Sequence, residues 1–183
     1  IQLKIMACDL TAGRQEVCKE SVGGLQAVYF INFVSGSTFT RPNDGEVTGD
    51  FSTLTAYKYE LKGTSAYTET VNSSRENGTT FFSQELTLNL KKLTNEMTTE
   101  LKTLAYGRPQ IVVHTNAGDA LLVGQDRGAD LTAGTIQTGG GLGDLYGYSV
   151  SMTGEEQLPA GFISGSTVDN PFAAVTAPTI VTS

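Results

Sequence analysis

The residues that could do chemistry are few and poorly grouped. His114 is the single histidine, so no second imidazole completes a zinc site. As a general base it would need a nucleophile and an orienting acid beside it, and no GxSxG elbow or HExxH signature supplies them. It reads as a structural histidine in a strand. Glu155 and Glu156 form the one adjacent carboxylate pair, and paired carboxylates can carry acid–base work. On an extended chain, however, sequence neighbours point to opposite faces, so this pair is expected to end a strand in solvent. The glycines at 139–141 and 143 lack both the GxGxxG spacing and the Lys-Ser/Thr of a phosphate-binding loop. Asp119, Asp126 and Asp130 lack the calcium-loop spacing and its closing glutamate. Cys8 and Cys18 are too far apart for a CxxC pair. They are expected as reduced thiols, with a disulfide as the alternative. No cofactor, no metal and no enzymatic activity are expected.

Composition points the same way. The chain has 183 residues, enough for one ordinary core. Its 17% charged residues fall short of the quarter or so usual for soluble domains, and a surface light in charge is often a covered one. A net charge of −7 argues against a protein that grips phosphate backbones. After Arg127 there is no Lys or Arg, while Asp130, Asp144, Glu155, Glu156 and Asp169 remain. That acidic third reads either as a solvated face with a tail or as a wall that repels polyanions. No run approaches the ~20 apolar residues that span a bilayer, so no membrane insertion is expected. No charged and apolar leader pattern supports classical secretion.

Positioning falls mainly to strands. Twenty-one glycines, no tryptophan, and recurrent Thr, Ser, Val and Tyr favour strands joined by tight turns. Residues 26–34, QAVYFINFV, suit a buried strand. Residues 35–50 are turn-rich, with Asp44-Gly45 the sharpest signal, and read as an exposed loop or hairpin. Residues 54–62 are strand-like. Asn77-Gly78 predicts a hairpin with a type I′ turn between SAYTETVNSSRE and TTFFSQELTLNL. In its second arm Phe82, Leu86, Leu88 and Leu90 share an apolar face with Gln84. One helix is predicted near 93–105, with Leu93, Met97, Leu101 and Leu104 on a stripe, Thr94 as N-cap, and Gly107 and Pro109 ending it. PQIVVHT, ALLVG, GTIQT and 145–153 follow as strands. The expected class is mainly β (α+β), an antiparallel β-sandwich or rolled sheet flanked by one α-helix. The expected organisation is an N-terminal arm over 1–24, a body over 25–158, and a C-terminal arm over 159–183 that docks on a neighbour through its apolar residues.

Taken together, several segments in order resemble the tail tube proteins of long-tailed bacteriophages, particularly those infecting Bacteroidota. They are Asp9 to Arg14 with Cys18 to Gly24 ahead of VYFINF, then YELKG and SSRENGTTFF, then LTLNLKKLTNEM, LKTLAYGRP and GDLYGYSVSMTGEEQLPAGF. The similarity covers about Cys8 to Phe162, and the residues after Gly165 fit it least. It implies a sandwich or rolled sheet whose inner strands join those of neighbours into a barrel, six copies to a ring, with rings stacked into a tube.

On that resemblance the partners are further copies of the chain and other tail proteins such as the tape measure, the terminator and, in a contractile tail, a sheath. Phage DNA would pass through without specific binding. The location would be the virion tail, assembled in the host bacterial cytoplasm. The ring-stacking candidates are the terminal arms and the loop bearing Thr38, Arg41, Pro42, Asn43 and Asp44. The lumen candidates are the polar positions of the long hairpin and of residues 145–153, with Glu69, Glu85 and Asp144 as the acidic members. The alternatives are another virion part (a tail terminator, baseplate or head decoration protein) or a glycan-binding sandwich stacking sugars on Tyr57, Tyr59, Tyr146 and Tyr148.

Overall fold

The computed structural model describes residue 10 and residues 12–182; Cys8 and the rest of the first nine residues lie outside the described residues, as does the state of that thiol. Among the described residues the chain forms ten strands and one α-helix in two sheets, a mainly-β α+β fold.

The first sheet is organised by β1 (Leu25–Ile31), whose sequence LQAVYFI has almost no polar alternation. A strand without alternation must be covered on both sides. Val28 and Phe30 enter one apolar cluster, whereas Ala27, Tyr29 and Ile31 enter another. Antiparallel partners β2 (Thr55–Glu60) and β5 (Gln110–Thr115) flank it, with Val28 opposite both Tyr59 and Val113. The strands β6 (Ala120–Val123), β9 (Gly161–Phe162) and β10 (Thr179–Val181) complete the order β10-β2-β1-β5-β6-β9. All of these pairings are antiparallel except β10 with β2, a parallel departure from the expected sandwich.

The second sheet has the order β3-β4-β8-β7, from β3 (Ala66–Ser74), β4 (Thr79–Lys91), β8 (Gly147–Glu156) and β7 (Asp130–Gln137). The β3–β4 hairpin is where it was predicted, but its turn differs. The last pair is Ser74 with Thr79, which leaves a four-residue loop, and within it only Gly78 has positive φ (63°). A type I′ turn needs positive φ at both central residues. That geometry belongs instead to Asn43 and Asp44, at φ 52° and 57°, closed by the Gly45 N–H on the Pro42 carbonyl.

The helix α1 (Asn95–Tyr106) starts where Thr94 Oγ1 accepts the Met97 N–H at 3.1 Å, an N-cap that satisfies one otherwise unpaired donor. Leu93, Met97, Leu101 and Leu104 all pack on the inter-sheet cluster. The fully buried Tyr148 ties this end down, since its hydroxyl donates to the Thr94 carbonyl and lies 2.7 Å from Thr98 Oγ1.

The outer face of the first sheet is covered by irregular chain. Phe39, Val47, Phe51 and Leu54 come from the connection between β1 and β2, and Ile163 and Phe172 from the C-terminal segment. Phe172 stacks edge-on against Tyr29 at 5.4 Å and meets Phe51 at 5.7 Å. Backbone bonds join the two coverings, with Val47 N–H on the Phe162 carbonyl and Phe51 N–H on that of Thr176. Residues 159–182 are therefore woven into the fold of their own chain, and of the apolar residues expected to meet a neighbour Ile163 and Phe172 enter its second core with Val175 packed against them, whereas Phe162, Ile180 and Val181 stay exposed. Likewise the loop over 35–50 is exposed only in part, because Phe39 and Val47 are buried.

Candidate assembly surface

In a strand, successive side chains alternate between faces, and directly paired residues share one. In β4 the even positions Leu86 and Leu88 are buried, as are Tyr148, Val150 and Met152 of β8. Those residues face the first sheet. The odd positions form the opposite, uncovered face, and pairing aligns them in rows across the sheet. One row runs Thr68, Glu85, Thr153, Asp130; the adjacent ones run Ala66, Thr87, Ser151, Ala133 and Thr70, Ser83, Glu155. The face is thus rich in hydroxyls and carries three carboxylates, with Lys91 its cation at one end and the exposed Phe81 towards the other.

Both outer strands of this sheet are long. β3 has nine residues and β7 eight, and among the described residues neither has a partner on its outer side. Unpaired edges of this length are templates for further strand pairing. Because the four strands alternate in direction, β3 and β7 run opposite ways. Copies related by rotation about one axis would therefore meet β7 to β3 in the same antiparallel sense as the pairs within a copy.

The sequence-selected residues distribute unevenly over this frame. Whereas Gln84 is buried on the other face, Glu85 lies on the open one, as do Ser83 and Thr87 of β4 and Ser149, Ser151 and Thr153 of β8. Glu69 does not: it pairs with Gln84 and points to the other side, where it accepts the Tyr67 hydroxyl at 2.7 Å and the Ala160 N–H. One residue of strand phase separates the two cases. That bond and burial raise the Tyr67 pKa, burial being the larger cause. Asp144 lies in the β7–β8 loop, off the sheet. Its Oδ2 accepts the N–H groups of Gly140 (3.0 Å) and Gly141 (2.7 Å), which hold its pKa below the usual range. Those two amides, the ones that could cradle a phosphate, are already taken. Thr38, Pro42, Asn43 and Asp44 are exposed, and Arg41 is half-buried with Nε donating to the Gly45 carbonyl.

Two open-face acids, Asp130 and Glu155, were not singled out in the sequence as lining residues. The alternation of Ser149, Ser151, Thr153 and Glu155 carried the signal for Glu155, while Asp130 needed the β7–β8 register. Glu155 is exposed, but its neighbour Glu156 is buried, contrary to the expectation of solvent. The pair does point to opposite faces, and the inward one accepts two loop amides rather than water.

The remaining polar groups are structural in their contacts. His114 is buried, and Nε2 donates to the Thr167 carbonyl at 2.7 Å. Burial lowers its pKa, the Lys58 charge adds to this, and the Thr167 bond opposes it. Gln110 spans the Val34 backbone and the Gln125 carbonyl. Among the described residues no three His, Cys, Asp or Glu come together as a metal cluster, and Asp119, Asp126 and Asp130 stay apart. No helix among them is long and apolar enough to cross a membrane. The four tyrosines do not make a sugar platform, since Tyr148 is fully buried and Tyr59 stacks on Phe30 at 4.9 Å.

No protein-family model matches the chain, and no curated protein matches it. Among solved structures it is similar to a chain from the "Virion of native gene transfer agent (GTA) particle", at 10% identity and a TM-score of 0.37, over 58% of this chain and 89% of that one, a likeness too loose for any conclusion to rest on it.

Proposed function

We propose that this chain is a non-enzymatic structural protein of a phage virion, the major tail tube subunit, whose copies close into rings, six to a ring, that stack around a channel for DNA. The observation that carries this reading is the second sheet, with two long free edges of opposite direction and an uncovered, hydroxyl-rich face. Ring closure would give every edge a partner and remove the aggregation hazard that open edges present. The open face would then line the channel, where Glu85, Asp130 and Glu155 repel phosphate and the hydroxyls offer it no net charge to hold. The resemblance in sequence to tail tube proteins agrees with this role. On the same reading the protein resides in the virion tail, is assembled in the host bacterial cytoplasm, and meets the tape measure, the terminator and, in a contractile tail, a sheath.

Negative-stain electron microscopy of the purified chain, beside mass measurement in solution, tests the proposal. Rings or stacked tubes with an open axial channel are the expected result. A monomer that forms no ring at high concentration would overturn it.

A further inference from the structure

A backbone nitrogen can attack the side-chain amide of a preceding asparagine most readily when it belongs to glycine, because no Cβ stands in the way. Of the eight asparagines in the chain, Asn77 alone precedes glycine. It sits in the four-residue loop that joins β3 to β4, beyond the last pair, Ser74 with Thr79. Asn77 and Gly78 are both exposed, and among the described residues no atom outside the immediate chain neighbours lies within 4 Å of where a Cβ on Gly78 would stand.

Little holds the two reacting groups in place. Among the described residues the Asn77 carboxamide and the Gly78 N–H have no hydrogen-bond partner, and Asn77 is tied only through its backbone N–H, on Ser74 Oγ at 3.3 Å. A loop tip with so few contacts opens locally at little cost. Rotation about Asn77 ψ and χ1 can then bring its Cγ to the Gly78 nitrogen.

The other candidates are hindered or held. Asn43 and Asn72 precede Asp44 and Ser73, whose side chains crowd the attacking nitrogen. Asn89 and Asn116 also donate their Nδ2 to the Thr64 and Gly23 carbonyls, at 2.6 and 2.9 Å. Asn170 precedes Pro171, which has no N–H to give up. At Asp44-Gly45 the Gly45 N–H is bonded to the Pro42 carbonyl, and an ionised carboxylate is a poor electrophile.

We propose that Asn77 is a site of spontaneous covalent modification, at which the chain converts its own asparagine to aspartate and isoaspartate. The Gly78 nitrogen gives its proton to solvent base and bonds to Asn77 Cγ. The Cγ–Nδ2 bond breaks, ammonia leaves, and a succinimide ring remains. Water then opens the ring: addition at Cγ restores the ordinary backbone and leaves aspartate, whereas addition at the Asn77 main-chain carbonyl leaves the chain running through Cγ as isoaspartate. Water is consumed, ammonia is released, and nothing is oxidised or reduced. Either product adds a carboxylate where Arg75 and Glu76 now balance, so the loop gains one negative charge. The reaction belongs to the single chain and needs no assembly.

The test holds the full folded chain and Asn77→Gln in mildly alkaline buffer made with heavy-oxygen water, sampled over weeks by peptide mapping and isoelectric focusing. Wild type should lose the Asn77 amide before any other, give paired aspartyl and isoaspartyl peptides carrying the heavy oxygen, and develop a more acidic band. Asn77→Gln, whose longer side chain must close a larger ring, should keep its single band. Amide loss at Asn43 or Asn72 as fast as at Asn77 would overturn the assignment. So would a folded chain that keeps the Asn77 amide, whether or not the same chain loses it in denaturant.

Discussion

The Glu156 carboxylate accepts the backbone N–H of Arg127 at 2.9 Å and that of Asp126 at 3.3 Å, so a buried acid at the end of β8 clamps the loop that leads into β7. The edge strand that faces a neighbour in the proposed ring is thus anchored by one ionisable group.

Burial raises the pKa of Glu156 above its ordinary 4.5, the Arg127 N–H opposes this, and the Asp126 charge adds to it. A raised folded-state pKa means that the native state holds the proton more tightly. The corresponding stability is full below the unfolded value and lost as pH rises through the folded one. Glu156→Gln, which keeps an acceptor for the loop amides, should flatten this loss and leave the protein at least as stable at neutral pH. Thermal midpoints of both proteins across the pH range above the ordinary value check this; parallel curves would contradict it.

His114 acts in the opposite sense. Its lowered pKa makes its stability full above the unfolded value of 6.5, and the contribution disappears as pH falls below it. Urea midpoints of wild type and His114→Gln, compared on either side of that value, should converge as the medium is acidified.

Phe172 is 1% exposed between Tyr29 and Phe51 although it lies in the Pro-containing C-terminal segment. Phe172→Ala should cost about 3–5 kcal/mol, the range for a buried aromatic. Chemical denaturation measures it. A cost below about 1 kcal/mol would indicate a detachable arm.

Gly147 pairs with Lys91 where the two strands press together, and a Cβ there would fall inside van der Waals contact with the Leu90 carbonyl oxygen and 3.0 Å from Lys91 Cα. The neighbouring atoms are backbone and cannot swing aside. Gly147→Ala should therefore destabilise by about 1–3 kcal/mol, read as a lowered denaturation midpoint.

On the proposed reading, Glu85→Lys with Glu155→Lys changes the channel wall without touching the strand edges. Assembly should persist, and the tubes should retain DNA at low salt and release it as salt rises. Wild-type tubes should retain none in the same co-sedimentation assay.

Much of the fold was legible in the sequence because local rules decide it. The apolar run of β1, the period-two alternation of β4 and β8, and the helix stripe with Thr94 as cap and Gly107 as stop each follow from short-range geometry. Other features depended on distant partners. Nothing local says that Phe172 returns to Tyr29, or that the loop carrying Phe39 and Val47 closes the second core; those contacts exist because β1 has two apolar faces and only one is covered by the other sheet and the helix. The Asn77-Gly78 turn was misjudged for a related reason, since strand register, set by the packed face of Leu86 and Leu88, decides how many residues remain for the loop. Most tellingly, Glu69 and Glu85 look alike in sequence, and only the pairing of β3 with β4 turns one inward to Tyr67 and leaves the other on the open face. The sequence by itself determined the elements and their polarity; the tertiary structure decided which side of each strand meets water, because a shift of one residue exchanges the faces and only packing against a second layer fixes the choice.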